Sequence, residues 1–306
     1  MNEFPIVLKS VAKAFGKTEV LKDVTLKVPA GQTFAFLGRN GAGKTTTIRM
    51  LLGLLGPDAG QVGVLGLNPG RDALDIRRRV GYLAEDQVMF GWMRVREILE
   101  FMAPFYPTWD AGYAAKLLRQ FELPVDTKIK HLSKGQNVRL GLLLAMAHRP
   151  NLIILDDPTL GLDPIMRKEF LRDVVEHLQG SGVTVFFSSH LLYEVEPVAD
   201  AVAILDRGTI VRQGPTEELR EQVKRLILPA AAFGALGPLP GTLDVRHKGN
   251  QTAVVVDHAP ETLAQLAAKN IHHEVVDLNL DEIFEACVIG DRHGKNNTNP
   301  ALERVA

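Results

Sequence analysis

The chain has 306 residues, 46% of them hydrophobic, and a formal net charge of −1. That length allows one large domain, or one with a small appendage. The near-neutral balance removes the electrostatic case for broad nucleic-acid binding, which needs a basic face. The single cysteine, Cys287, cannot form an internal disulfide and suits a reducing interior. Residues 1–5 show no basic stretch leading into an apolar run, so no signal peptide is expected. No apolar run approaches the ~18–20 residues that span a bilayer; the best, around residues 140–147, falls far short. A soluble chain is expected, with any membrane role arriving through a partner.

Along the chain, residues 1 to about 30 read as short antiparallel strands: Ile6-Val7-Leu8, then Val24, Leu26 and Val28 alternating with polar neighbours. Gln32-Thr33-Phe34-Ala35-Phe36-Leu37 reads as a buried strand running into Gly38-Arg39-Asn40-Gly41-Ala42-Gly43-Lys44-Thr45, and residues 44–52 as a helix. The loop between them has the spacing G-x-x-x-x-G-K-[ST] of a phosphate cradle. Its glycines let the backbone curl so that N–H groups point inward at an anion. Lys44 brings a point charge to the outer phosphates, and the Thr45 hydroxyl is placed for Mg²⁺. The helix start turns its positive end towards the same phosphates. Strand, loop and helix together outweigh the reading of a glycine-rich turn with a chance lysine.

Residues 53–70, rich in Gly and Pro, read as turns between short strands, and Arg77-Arg78-Arg79 as a solvated helix end before the strand Val80-Gly81-Tyr82-Leu83. Residues 90–120 are helical in pattern and contain Trp92, Trp109, Phe101, Phe105, Tyr106 and Tyr113, most of them expected in helix core. A second helix begins at Ser133 and ends before Pro150, which cannot continue it. Then come the strand Leu152-Ile153-Ile154-Leu155, a helix over 164–179, the strand Val183-Thr184-Val185-Phe186-Phe187, and a hairpin turning at Arg207-Gly208. Strands alternating with helices after the cradle predict an α/β fold with a mainly parallel core.

After about residue 220 the texture changes. Residues 234–241, with Pro238 and Pro240, read as a linker, and residues 252–288 as a small strand-helix-strand-helix unit. The polar residues 291–306 are expected to be disordered. His272-His273 have metal-ligand chemistry, but neighbours on a strand point to opposite faces, which favours an ordinary role.

A phosphate cradle alone does not choose among kinase, GTPase and ATPase. The strand 152–155 ends in Asp156, a carboxylate delivered where such proteins bring an acid to Mg²⁺. Asp157, Pro158-Thr159 and Gly161-Leu162-Asp163-Pro164 follow. Leu132-Ser133-Lys134-Gly135-Gln136 stands upstream, Ser188-Ser189-His190 closes a later strand, and Phe15-Gly16 precedes the first core strand.

In this order the set resembles an ATP-binding cassette (ABC) ATPase, the nucleotide-binding subunit of an ABC transporter. The resemblance covers about residues 4–220. It implies a P-loop NTPase core with an antiparallel β subdomain and a helical subdomain near 86–148, within a domain over 1–220; a small C-terminal α/β domain follows over 221–290. By position, Phe15 matches the aromatic that stacks on adenine. Gly38, Asn40, Gly41, Ala42, Gly43, Lys44 and Thr45, with Thr46 next in line, match the Walker A loop. Ser133, Gly135 and Gln136 match the signature LSGGQ, in which Lys134 replaces a glycine; Asp156 matches the Walker B acid. Asp157 matches the catalytic carboxylate, Gly161 to Pro164 the D-loop, and His190 the switch histidine. Ser133 and Gln136 are also spaced as a helix capping box; a capped helix start is itself an anion site, so both readings can hold.

Two positions depart from the family: Asp157 stands in place of Glu, and the Q-loop glutamine aligns with Glu85, with Gln87 two residues on. The resemblance implies ATP and Mg²⁺ held at Lys44, Thr45 and Asp156, with Glu85 approaching the metal. It also implies hydrolysis by water positioned at Asp157 and His190. One Walker A and one signature per chain imply a head-to-tail pair with a second copy and two composite sites. A multi-span membrane permease is the implied partner, with the chain cytoplasmic and peripheral on the inner face of the cell membrane, and no nucleic acid. Leu280-Asp281-Glu282-Ile283-Phe284 resembles a short motif ending many exporter-type subunits, which tilts the reading towards export of a drug-like, lipid or peptide molecule. Two alternatives stand beside it. One is an ATP-dependent dimerisation switch that hydrolyses slowly because of Asp157. The other is a soluble non-transport ABC ATPase acting on DNA or ribosomes, which usually carries a long coiled-coil insertion or two cassettes.

Overall fold

Apolar–polar alternation near the N-terminus builds two long antiparallel strands, β1 (Ile6–Phe15) and β2 (Thr18–Val28), that bury Ile6, Leu8, Val11, Leu21, Val24, Leu26 and Val28. They belong to a computed structural model that describes residues 3–178, 182–190, 195–236 and 239–294, with residues 176 and 289–294 described by backbone alone. The chain divides into two compact units, Met1–Ile210 and Val211–Ala306.

The strands that follow are β3 (Thr33–Gly38), β4 (Ala59–Val64), β5 (Val80–Leu83), β6 (Leu152–Asp156), β7 (Thr184–Ser189) and β8 (Ala201–Asp206) in the first unit, and β9 (Thr209–Pro215), which begins there and ends in the second. They form one nine-stranded sheet in the order β4-β1-β2-β9-β8-β3-β7-β6-β5. Its centre is parallel: β3 runs with β7 and β8, and β6 with β5 and β7. The continuous apolar run of β3 suits a strand buried on both faces, and every residue of it is buried. Parallel register also sets the site. Leu37 lies beside Ser189 and Asp156 beside Ser188, so the cradle and the carboxylate leave the sheet at the same carboxyl edge. That edge is where open α/β sheets bind ligands.

Phe186 on β7 is fully buried between Phe34 and Phe36 of β3, with ring centroids 6.1 Å and 5.2 Å away. Truncating it to Ala removes a ring that the close-packed sheet cannot refill. The expected loss is about 3–5 kcal/mol of stability, read by denaturant unfolding.

The helices are α1 (Lys44–Leu51), α2 (Ala73–Arg79), α3 (Val95–Met102), α4 (Ala111–Gln120), α5 (Lys134–Met146) and α6 (Pro164–Leu178). The helical pattern over 90–120 resolves into α3, a 3₁₀ turn and α4. Its rings depart from the expected core packing. Phe90, Trp92, Phe101 and Phe105 are exposed and touch one another in a chain, while Tyr106 stacks on buried His148 at 4.2 Å. Gln179, read as the end of α6, lies outside the described residues.

The second unit carries β10 (Lys224–Pro229), β11 (Thr242–Lys248), β12 (Gln251–Val256) and β13 (Glu274–Asp277), with helices Ala230–Leu236, Ala259–Ala268 and Leu280–Gly294. The antiparallel order β11-β12-β10-β13 makes a split βαββαβ of ferredoxin-like topology. The strand-helix-strand-helix pattern expected over 252–288 leaves out β10, the helix Ala230–Leu236 and β11, which precede it. Much of the supposed linker is the end of a helix and the turn into β11; Pro238 lies outside the described residues. The final helix runs to Gly294, so residues 291–294 are helical where disorder was expected, and residues 295–306 lie outside the described residues. Leu280 and Ile283 of the exporter-like motif are fully buried, and Asn279 and Glu282 cap the helix reciprocally. His272 and His273 precede β13 rather than lying on it, and His273 Nδ1 is 2.9 Å from the Ile271 carbonyl.

Candidate functional site

The cradle is shaped by backbone that only glycine accepts easily. Gly43 caps α1 with φ 114°, and a Cβ there would lie 2.5 Å from Leu21 Cδ2. No side chain caps α1, so its first N–H groups stay directed at the loop. Lys44, 5% exposed, folds back to donate to the Gly38 carbonyl at 3.0 Å.

Opposite it, the turn after β6 places two carboxylates. Asp156 is buried and accepts a hydrogen bond from the Ser188 hydroxyl at 2.8 Å. Burial pushes its carboxyl above the usual range; Ser188 opposes the rise, Asp157 and Glu85 add to it, and Lys44 lowers it. Asp157 has φ 40°, a left-handed conformation that Asp tolerates better than most residues. Its N–H donates to both the carbonyl and the hydroxyl of Ser188, at 3.1 and 3.0 Å. Its carboxylate then divides: Oδ2 lies 3.3 Å from Lys44 Nζ, and Oδ1 accepts from His190 N at 3.1 Å and meets His190 Nδ1 at 2.8 Å. One buried carboxylate thus joins the cradle lysine to the histidine at the end of β7.

These groups open onto a cleft of about 460 Å³ lined by Phe15, Asn40, Gly41, Gly43, Lys44, Thr45, Thr46, Glu85, Asp157 and His190, together with Val20, Arg39 and Leu160. Phe15 is half exposed at its mouth. Gly38, Ala42 and Asp156 stand behind the lining rather than in it. Ser133, Gly135 and Gln136 are not brought to this cleft; they form the start of α5, where Ser133 and Gln136 make both bonds of a capping box. Glu85 faces the cleft, whereas Gln87 packs towards Gly141 with its Oε1 buried and without a hydrogen-bond partner among the described residues. Sequence reasoning left Ser188 out of the site. The signal was available in the parallel register of two strands that end together, one in Asp156 and the other in Ser188-Ser189.

A family model described as "ABC transporter" matches residues 21–160. Among curated proteins, the bacitracin transport ATP-binding protein BcrA of Bacillus licheniformis is 35% identical over 219 residues, covering 71% of this chain and 72% of its own length. The linearmycin resistance ATP-binding protein LnrL of Bacillus subtilis (strain 168) is 32% identical over 216 residues, covering 69% of each chain. A solved structure of the ATP binding subunit of an ABC transporter overlays with a TM-score of 0.64 at 27% identity, covering 86% of this chain and 99% of that one. With the cradle, the paired aspartates and the capped α5 in the same order, the chain belongs to the ABC transporter ATP-binding family.

Proposed function

We propose that this chain is the ATP-hydrolysing subunit of an exporter-type ABC transporter, pairing head-to-tail with a second copy and driving a separate multi-span membrane subunit. The observation that carries the reading is the Asp157 carboxylate held between Lys44 and His190 on the wall of the cradle cleft. Lys44 and the loop N–H groups bind the outer phosphates of ATP, Phe15 stacks on the adenine, and Asp157 with His190 orients the attacking water. Positioning and charge stabilisation supply most of the acceleration in such transfers. Ser133, Gly135 and Gln136 of each copy close on the nucleotide of the other.

The donors fit Mg²⁺. Thr45, Asp156 and Glu85 offer hard oxygen atoms, and Mg²⁺ is usually held by one or two carboxylates plus substrate phosphates. Bound there, the ion would neutralise charge between the outer phosphates.

Among the described residues no helix is long and apolar enough to cross a membrane. The exposed chain Trp92, Phe90, Phe101 and Phe105 gives a membrane subunit an aromatic surface, and aromatic anchors dominate such interfaces. The names of BcrA and LnrL support an antibiotic-like cargo. Expressed with its neighbouring genes, the protein should sediment with membranes on their cytoplasmic face, extract with a multi-span subunit, and release phosphate from ATP. Recovery only with ribosomes or DNA would favour the non-transport alternative.

A further inference from the structure

Lys134 stands where the family signature has glycine. It opens α5 directly after the Ser133 cap, a poor place for a cation, because a helix start is already positive and the first turn carries no acid. Its side chain nevertheless lies over Gly161: a Cβ built on Gly161 would sit 2.1 Å from Lys134 Nζ and 3.3 Å from its Cε. Gly161, with φ 71°, belongs to the loop that runs from Asp157 into α6. Gly135 meets the far end of the same stretch, where a Cβ would lie 2.5 Å from Met166 Cε.

The platform behind these contacts is fixed. Arg139 on α5 donates Nε to Asp173 at 2.8 Å and a terminal nitrogen to Glu169 at 3.1 Å, both on α6. The loop is closed on itself as well, through Leu160 N to the Asp157 carbonyl at 3.0 Å and Leu162 N to the Thr159 carbonyl at 3.1 Å. A shift at Gly161 therefore reaches Asp157 through one hydrogen-bonded turn, and Leu160 within that turn lines the cleft.

We propose that Lys134 is a positioning residue for phosphoryl transfer: its side chain holds Gly161, and through residues 157–163 it fixes Asp157 against Lys44 and His190. The inference rests on the ATPase reading above. In a head-to-tail pair, Ser133, Gly135 and Gln136 serve the partner's nucleotide and Asp157 the chain's own, so the contact also ties the two composite sites together.

Steady-state ATP hydrolysis by the full chain tests it. Lys134→Gly is expected to lower kcat by about tenfold through misplacement of Asp157, with KM for ATP and the unfolding midpoint near native. Lys134→Met keeps the unbranched stem without the charge and restores most of kcat. A Lys134→Gly variant at native kcat, or a Lys134→Met variant as slow as Lys134→Gly, overturns the inference. A native chain without turnover overturns the ATPase reading on which it rests.

Discussion

Lys44→Ala is expected to abolish measurable ATP turnover and to weaken binding of Mg-ATP. Removing one preorganised charge-stabilising donor from a phosphoryl-transfer site costs about 10²–10³ in rate. Lys44 is the buried cation placed by the cradle, 3.0 Å from the Gly38 carbonyl and 3.3 Å from Asp157. The variant has a second consequence. Asp157 is only 6% exposed, and without Lys44 its carboxylate keeps His190 but loses its neighbouring ammonium. Breaking a buried pair on one side costs about 3 kcal/mol, so the unfolding midpoint should fall together with activity. The two effects separate in an Asp157→Asn background, where the stranded charge is gone: there Lys44→Ala should cost little further stability but still weaken ATP binding. Phosphate release, nucleotide titration and thermal unfolding decide it, and native turnover in Lys44→Ala would remove the ATPase assignment.

The first unit was legible because its signals are local and chemical. Gly43 must adopt a conformation that other residues avoid, Lys44 follows it, and β3 and β6 are apolar runs too short for helices. In the second unit the elements from β12 onward were legible in the same way, but the helix Ala230–Leu236 and β11 were not, because they are stabilised from outside themselves. Helix Ala230–Leu236 has no buried residue and only part-buried Phe233 and Leu236 facing the core, so its own sequence shows little amphipathic pattern. β11 is a polar edge strand whose Arg246 is matched by Glu285 from the last helix, a partnership invisible in a short window. The aromatic segment erred in the opposite direction. Rings at helical spacing are usually core, yet Phe90, Trp92, Phe101 and Phe105 pack on one another at the surface. Within the site, composition could not separate Glu85 from Gln87. Two residues apart at the end of β5, they face different surroundings, and only the backbone path decides which one reaches the cleft.

Asp157→Glu is expected to slow the enzyme, although Glu is the family's residue. From the sequence, a side chain one methylene shorter implies a carboxylate held back from the water, a misplacement that can cost on the order of 10²-fold; on that ground alone Glu should raise kcat. The geometry argues otherwise. Asp157 already reaches both partners, with Oδ1 2.8 Å from His190 Nδ1 and Oδ2 3.3 Å from Lys44 Nζ. Its φ of 40° belongs to the left-handed region that Asp visits more readily than longer side chains, at a cost of about 1–2 kcal/mol for an ordinary residue. An added methylene must therefore push against His190 or pull the turn away from Ser188, which holds the Asp157 N–H at two atoms. We expect Asp157→Glu to bind ATP normally, to turn over about tenfold more slowly, and to melt earlier than the native chain. Asp157→Asn keeps the shape and the contact with His190 but loses the charge, so it should bind ATP, stall before hydrolysis and accumulate as a closed dimer on size exclusion. Steady-state rates of the three proteins measured side by side decide the point. A faster Glu variant would show that the turn moves inward without cost and that reach limits the native rate; an Asn variant with native turnover would take Asp157 out of the reaction.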